Sequence, residues 1–125
     1  MKRLYYIRGA VCTQNSAEAI IENTGKMCTQ IFERNFLKAE DVVSVQFTMT
    51  GDLDAFNAAA AFRKGVKCID VSGVPLFTSQ EAVIKGMLPG VIRVMVTAYM
   101  EEGARPEPAY LNGAECLRPD IAQKK

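Results

Sequence analysis

The stretch Gly90-Val-Ile-Arg-Val-Met-Val96 decides the fold. Val91, Ile92, Val94, Met95 and Val96 are apolar and mostly β-branched, as in a strand buried on both faces. Arg93 interrupts them. A guanidinium stays protonated, so a buried one must meet a carboxylate or several other acceptors. Either this strand turns one face to solvent, or Arg93 serves a pocket. A second arginine is placed in the same manner. Leu4-Tyr-Tyr-Ile-Arg-Gly-Ala-Val11 sets Arg8 near the end of an N-terminal strand, among residues that would otherwise pack. Two such arginines, on strands that could be neighbours, suggest a pocket built for an anion with carboxylates.

Outward from these strands the chain alternates between sheet and helix. Lys2–Cys12 reads as the first strand, and Thr13-Gln-Asn-Ser16 as a turn. Asn15 with Glu18 resembles a capping box, which opens a helix. Ile20, Ile21, Thr24, Met27, Cys28, Ile31 and Phe32 recur at helical spacing and give that helix one apolar face, a cover for a sheet. Asp41–Thr50 reads as the second strand. Gly51-Asp-Leu-Asp54 breaks it with two candidate N-caps, Asp52 and Asp54. Ala55–Lys64 is then helical, with Gly65 as its C-terminal cap. Arg63, near the end of that helix, either favours the helix dipole or serves a ligand. Val66–Val71 reads as the third strand, and a strand–helix–strand unit predicts a parallel crossover. Leu76–Pro89 is the least regular part, and its polar group Thr78-Ser-Gln-Glu81 is either a solvated loop or part of a site. The Arg93 strand runs to about Met100. Ala109–Asn112 is a short strand ended by Gly113, and Pro119 could open a short helical turn.

With 125 residues, of which 49% are hydrophobic and 23% charged, the chain has the size and composition of one domain. A net charge of +1 argues against nucleic-acid or anionic-membrane surfaces, which need clustered positive charge. No apolar run is long enough to span a bilayer. Lys2 and Arg3 precede a strand-like segment without the apolar core of a signal peptide, which points to the cytoplasm. Cys12, Cys28, Cys68 and Cys116 lack the paired spacing of a zinc site, so no metal is expected. They could form two disulfides, but buried free thiols fit an adequate core and no export signal better. Histidine is absent, so any chemistry proceeds without imidazole.

Taken in order, these segments resemble the small trimeric chorismate mutases of the mixed α/β class. The resemblance runs through Ile7-Arg-Gly-Ala10, Glu40-Asp-Val-Val43, Asp52-Leu53, Arg63, Val74-Pro-Leu-Phe-Thr-Ser-Gln-Glu81, Val91-Ile-Arg-Val-Met95, Tyr110-Leu111 and Leu117-Arg-Pro-Asp120. It implies a single α/β domain over residues 1–125, in a homotrimer whose mixed sheets form a pseudo α/β barrel with active sites between subunits. It also implies the rearrangement of chorismate to prephenate, a pericyclic step that needs no cofactor, metal, nucleophile or proton transfer.

By the same resemblance, Arg93 meets the ether oxygen, and Arg8 and Tyr110 hold the side-chain carboxylate. Glu81 accepts the ring hydroxyl with Thr78 beside it, and Arg63 attracts the ring carboxylate. Leu117 and the partly flexible tail, residues 115–125, close over the cleft. The family often has an aromatic residue and proline at the start of the second helix, and a lysine one turn later; Asn57, Ala58 and Ala60 stand here instead. Two other functions are compatible with the residues alone. A trimeric imine deaminase would not need Glu81 and Tyr110 where they stand, and a binding module would bind the metabolite without turnover.

Overall fold

The computed structural model describes residues 1–122. Five strands make one mixed sheet: β1 (Lys2–Cys12), β2 (Val42–Met49), β3 (Leu76–Gln80), β4 (Val91–Glu101) and β5 (Ala109–Leu111). Their order across the sheet is β3-β2-β4-β1-β5. β4 runs antiparallel to β1 along its whole length, from Lys2 opposite Glu101 to Cys12 opposite Val91. It is also antiparallel to β2, whereas β2–β3 and β1–β5 are parallel pairs.

Helices α1 (Ala17–Arg34) and α2 (Ala58–Gly65) cover one face of this sheet, and a short α3 (Pro119–Ala122) follows β5. The core lies between them. Ile7 and Val11 from β1, Val45 and Phe47 from β2, and Ile92, Val94 and Val96 from β4 meet Ile20, Met27, Ile31 and Phe32 of α1. Phe62 of α2 packs edge-on against Phe32 and Phe47, with ring centroids 6.0 and 5.7 Å away. Each such buried side chain contributes roughly 1.5–3 kcal/mol relative to exposure. The two helices cross at a pair of glycines. A Cβ on Gly65 would lie 2.6 Å from the Ile21 carbonyl oxygen, and one on Gly25 would lie 2.7 Å from the Gly65 carbonyl oxygen.

Several sequence expectations shift. The cap of α1 is Ser16, whose hydroxyl accepts the Ala19 N–H at 3.1 Å. Asn15 turns away and accepts the N–H groups of Asp54 and Ala55. α2 begins later than Ala55, capped by Asn57 and not by Asp52 or Asp54, because those two aspartates are engaged with Gly90 and Asn15. Gly65 is the last residue of α2, placed there by the crossing with α1 and not by a left-handed cap.

Val66–Val71 is not a strand: its Val66, Ile69 and Val71 pack against the core without joining a ladder. The parallel crossover exists, but its second strand is Leu76–Gln80. Cysteine burial also differs. All four are free; Cys28 is buried and Cys12 half-buried, while Cys68 and Cys116 are exposed. Burial raises the Cys28 pKa well above that of an ordinary thiol, with a smaller contribution from Cys68, and keeps it protonated.

Candidate active site

Both expectations for the Arg93 strand are partly met. Within one chain, Ile92, Val94, Val96 and Ala98 face the helices, while Arg93, Met95 and Tyr99 face outward on the open side of the sheet. Strand register then assembles a row across all five strands. Ser79 pairs with Thr48, Thr48 with Arg93, Arg93 with Ala10, and Ala10 with Tyr110. Beside it runs a second row of Phe77, Gln46, Met95 and Arg8. Alternation puts all these side chains on one face. The two rows frame a hollow, and Ala10 itself is fully buried beneath Tyr110, Val91 and Ala114.

The hollow is a cleft of about 350 Å³ whose walls include Arg8, Thr48, Glu81, Arg93 and Tyr110. Glu81 enters it from just beyond β3, where its N–H donates to the Met49 carbonyl at 2.8 Å. Its Oε1 lies 3.4 Å from Arg93 Nε and accepts the Thr48 hydroxyl. Tyr110 is buried on β5, in a small cluster with Ala10, Val91 and Ala114, against which Leu117 and Leu88 pack.

The start of β4 is fixed independently. Thr50 donates its N–H to the Val91 carbonyl, and its hydroxyl oxygen accepts the Val91 N–H at 3.0 Å. The Thr50 hydroxyl outweighs the opposing effect of burial and, with a smaller contribution from the Gly90 N–H, holds the Asp52 carboxyl below the usual carboxylate range. These contacts lock the position from which Arg93 projects.

Four of the sequence-predicted residues therefore meet in one cleft: Arg8, Glu81, Arg93 and Tyr110. The other three do not line it. Thr78 belongs to a neighbouring depression with Leu53, Asp54 and Gln80, and its hydroxyl donates to Asn57 Oδ1 at 2.9 Å. Arg63 is exposed in the last turn of α2. Leu117 lies behind Tyr110. The sequence reading missed Gln46, Thr48, Phe77 and Met95, whose alternation along a strand looks like an ordinary solvated face.

The chain matches the family model "Chorismate mutase type I" over residues 4–121. The chain belongs to this family. Chorismate mutase AroH of Thermus thermophilus is 34% identical over 118 residues, which is 92% of this chain and 93% of the relative. Chorismate mutase AroH of Bacillus subtilis is 34% identical over 124 residues, 95% of this chain and 93% of that one. Among solved structures, a chorismate mutase from Clostridium thermocellum superposes with a TM-score of 0.80 at 33% identity, covering 90% of this chain and 98% of its own. The mixed α/β fold of the chorismate mutase type I family is thus shared over nearly the whole chain. At the start of α2 this family member carries Asn57, Ala58 and Ala60, and Asn57 there serves as helix cap and as acceptor for Thr78.

Proposed function

We propose that the open-face cleft is where this chain, a chorismate mutase, rearranges chorismate to prephenate in the biosynthesis of aromatic amino acids. The observation that carries this assignment is the convergence of Arg8, Glu81, Arg93 and Tyr110 on one hollow in the sheet. Chorismate bears two carboxylates, a hydroxyl and an enol ether, and these groups find complementary partners there.

The reaction makes two physical demands. The ether side chain must be held folded over the ring, so that the bond-forming carbons lie close together. Negative charge growing on the ether oxygen must meet a fixed donor. Arg93 is assigned to that oxygen, held by a rigid central strand and partly balanced by Glu81. Arg8 and Tyr110 are assigned to the side-chain carboxylate, and Glu81 to the ring hydroxyl. The step needs no proton transfer, nucleophile, metal or cofactor.

Charge supports a site shared between subunits. Two arginines and one glutamate leave a single net positive charge in the cleft, one short of balancing a dianion. Arg63 of a neighbouring copy would supply the second charge for the ring carboxylate, and Thr78 beside it would approach the ring hydroxyl from the same wall. Since the Thr78 proton is given to Asn57, its oxygen is left to accept. The open face also exposes Leu4, Tyr6, Phe77, Met95 and Tyr99, an apolar surface suited to burial against another copy. We assign the assembly as a homotrimer, with residues 1–125 as one domain and the segment 115–125 closing over the cleft through Leu117. Residues 123–125 of that segment lie outside the described residues. Among the described residues no helix is long and apolar enough to cross a membrane, and we place the enzyme in the cytoplasm.

Loss of chorismate absorbance with purified protein tests the assignment. Wild type is expected to form prephenate, and Arg93→Ala to lose about two to three orders of magnitude in kcat, the scale of removing one preorganised donor. Unchanged turnover in Arg93→Ala would move the chemistry out of this cleft.

A further inference from the structure

We propose that Thr48 is a positioning residue: it divides the Glu81 carboxylate between the protein and the substrate. The inference rests on the assignment of Glu81 as acceptor for the ring hydroxyl. Thr48 sits between Ser79 and Arg93 in the row that crosses the sheet. Its strand is hydrogen-bonded along both edges, so the hydroxyl projects from a fixed backbone. A β-branched residue in such a strand is also restricted about χ1.

Glu81 has no comparable support. It lies past the end of β3, tied by its own N–H to Met49 and followed by the irregular stretch that leads to β4. Its Oε1 accepts the Thr48 hydroxyl and faces Arg93 Nε at 3.4 Å. Among the described residues Oε2 accepts no hydrogen bond, which leaves it open to a donor from the substrate.

Without Thr48, this geometry has an obvious competitor. A carboxylate beside a guanidinium prefers the two-pronged fork, in which both oxygens are taken by paired N–H groups. Glu81 rotated into that fork would have no oxygen for the ring hydroxyl, and would draw Arg93 away from the ether oxygen. The Thr48 hydroxyl holds Oε1 with a hydrogen bond of its own and so opposes that rotation. A threonine near the end of β2 thereby keeps two neighbouring charged residues from satisfying only each other.

Prephenate formation by wild type, Thr48→Val, Thr48→Ser, Glu81→Gln and the double variant Thr48→Val/Glu81→Gln tests this, with a melting curve for each. Valine keeps the shape and removes the donor; serine keeps the donor. Thr48→Val is expected to lower kcat/KM about tenfold, the scale of one hydrogen bond to a charged group. Thr48→Ser should stay within about twofold of wild type, and the double variant should be no worse than Glu81→Gln, as for residues acting through one contact. Losses that multiply in the double variant would overturn the proposal by making Thr48 an independent substrate contact. So would full activity in Thr48→Val, or a loss in it matched by the fraction unfolded. If Glu81→Gln alone retains full activity, the role of Glu81 itself falls, and this separates failure of the site assignment from failure of the Thr48 inference.

Discussion

Asn57 carries two duties on one oxygen. Its Oδ1 accepts the Ala59 N–H at 2.8 Å, which caps α2, and the Thr78 hydroxyl at 2.9 Å, which aims that side chain. Asn57→Ala is expected to cost about 1 kcal/mol of stability, the usual value of a lost cap, measured by urea unfolding. Asn57→Asp should retain the cap, since a carboxylate oxygen accepts the same N–H. At this scale the sequence was legible where a residue contradicts its surroundings. Arg8 and Arg93 stand out because a guanidinium among β-branched residues needs a reason. Thr48 and Ala10 do not stand out, because a threonine and an alanine in a strand need none. Their meaning lies in the cross-strand register, which a linear pattern does not contain.

Secondary elements succeed or fail for similar reasons. β1, β2, β4 and α1 are long, carry a buried apolar face, and lie where periodicity places them. β3 is an edge strand of mostly exposed side chains, so Leu76–Gln80 shows the polar character of a loop. The more strand-like Val66–Val71 is filler under the core. Between α1 and β2 a short 3-10 turn, Ala39–Asp41, is pinned by the buried Asp41, which accepts the Lys38 N–H and the Lys2 ammonium, each at 2.9 Å. Burial pushes the Asp41 carboxyl upward, but the Lys38 amide and the Lys2 ammonium outweigh it and hold it below the ordinary 3.8. The folded value is lower than the unfolded one. The stabilisation is therefore complete above 3.8 and is lost as pH falls through the folded value. Asp41→Asn should cost about 1–2 kcal/mol at neutral pH, the half-exposed Lys2 contributing least. The difference from wild type should shrink progressively in urea titrations carried toward about pH 3.

For the whole molecule, the seven site residues named from the sequence fall into two groups on one chain. Arg8, Glu81, Arg93 and Tyr110 gather at one cleft, with Leu117 packed against the cluster that holds Tyr110, while Arg63 and Thr78 stand apart. If the site is shared between copies, Arg93→Ala and Arg63→Ala chains damage opposite halves of it. Refolding the two inactive variants together should then restore part of the activity, which neither shows when refolded alone, and recovery no greater than the sum of the two would argue for sites built within one copy. The central position of β4 has a different consequence, one that concerns time. Lys2 finds its partner in Glu101, and almost every pairing of β1 joins residues from opposite ends of the chain. A sheet whose middle strand is made late cannot close while the chain is still emerging from the ribosome. The edge of β1 that β4 will occupy must stay unpaired until β4 has been synthesised. α1, which follows β1 directly, can cover the apolar face of β1 long before that, so the packing that later becomes the core also serves as the nascent chain's first protection against aggregation.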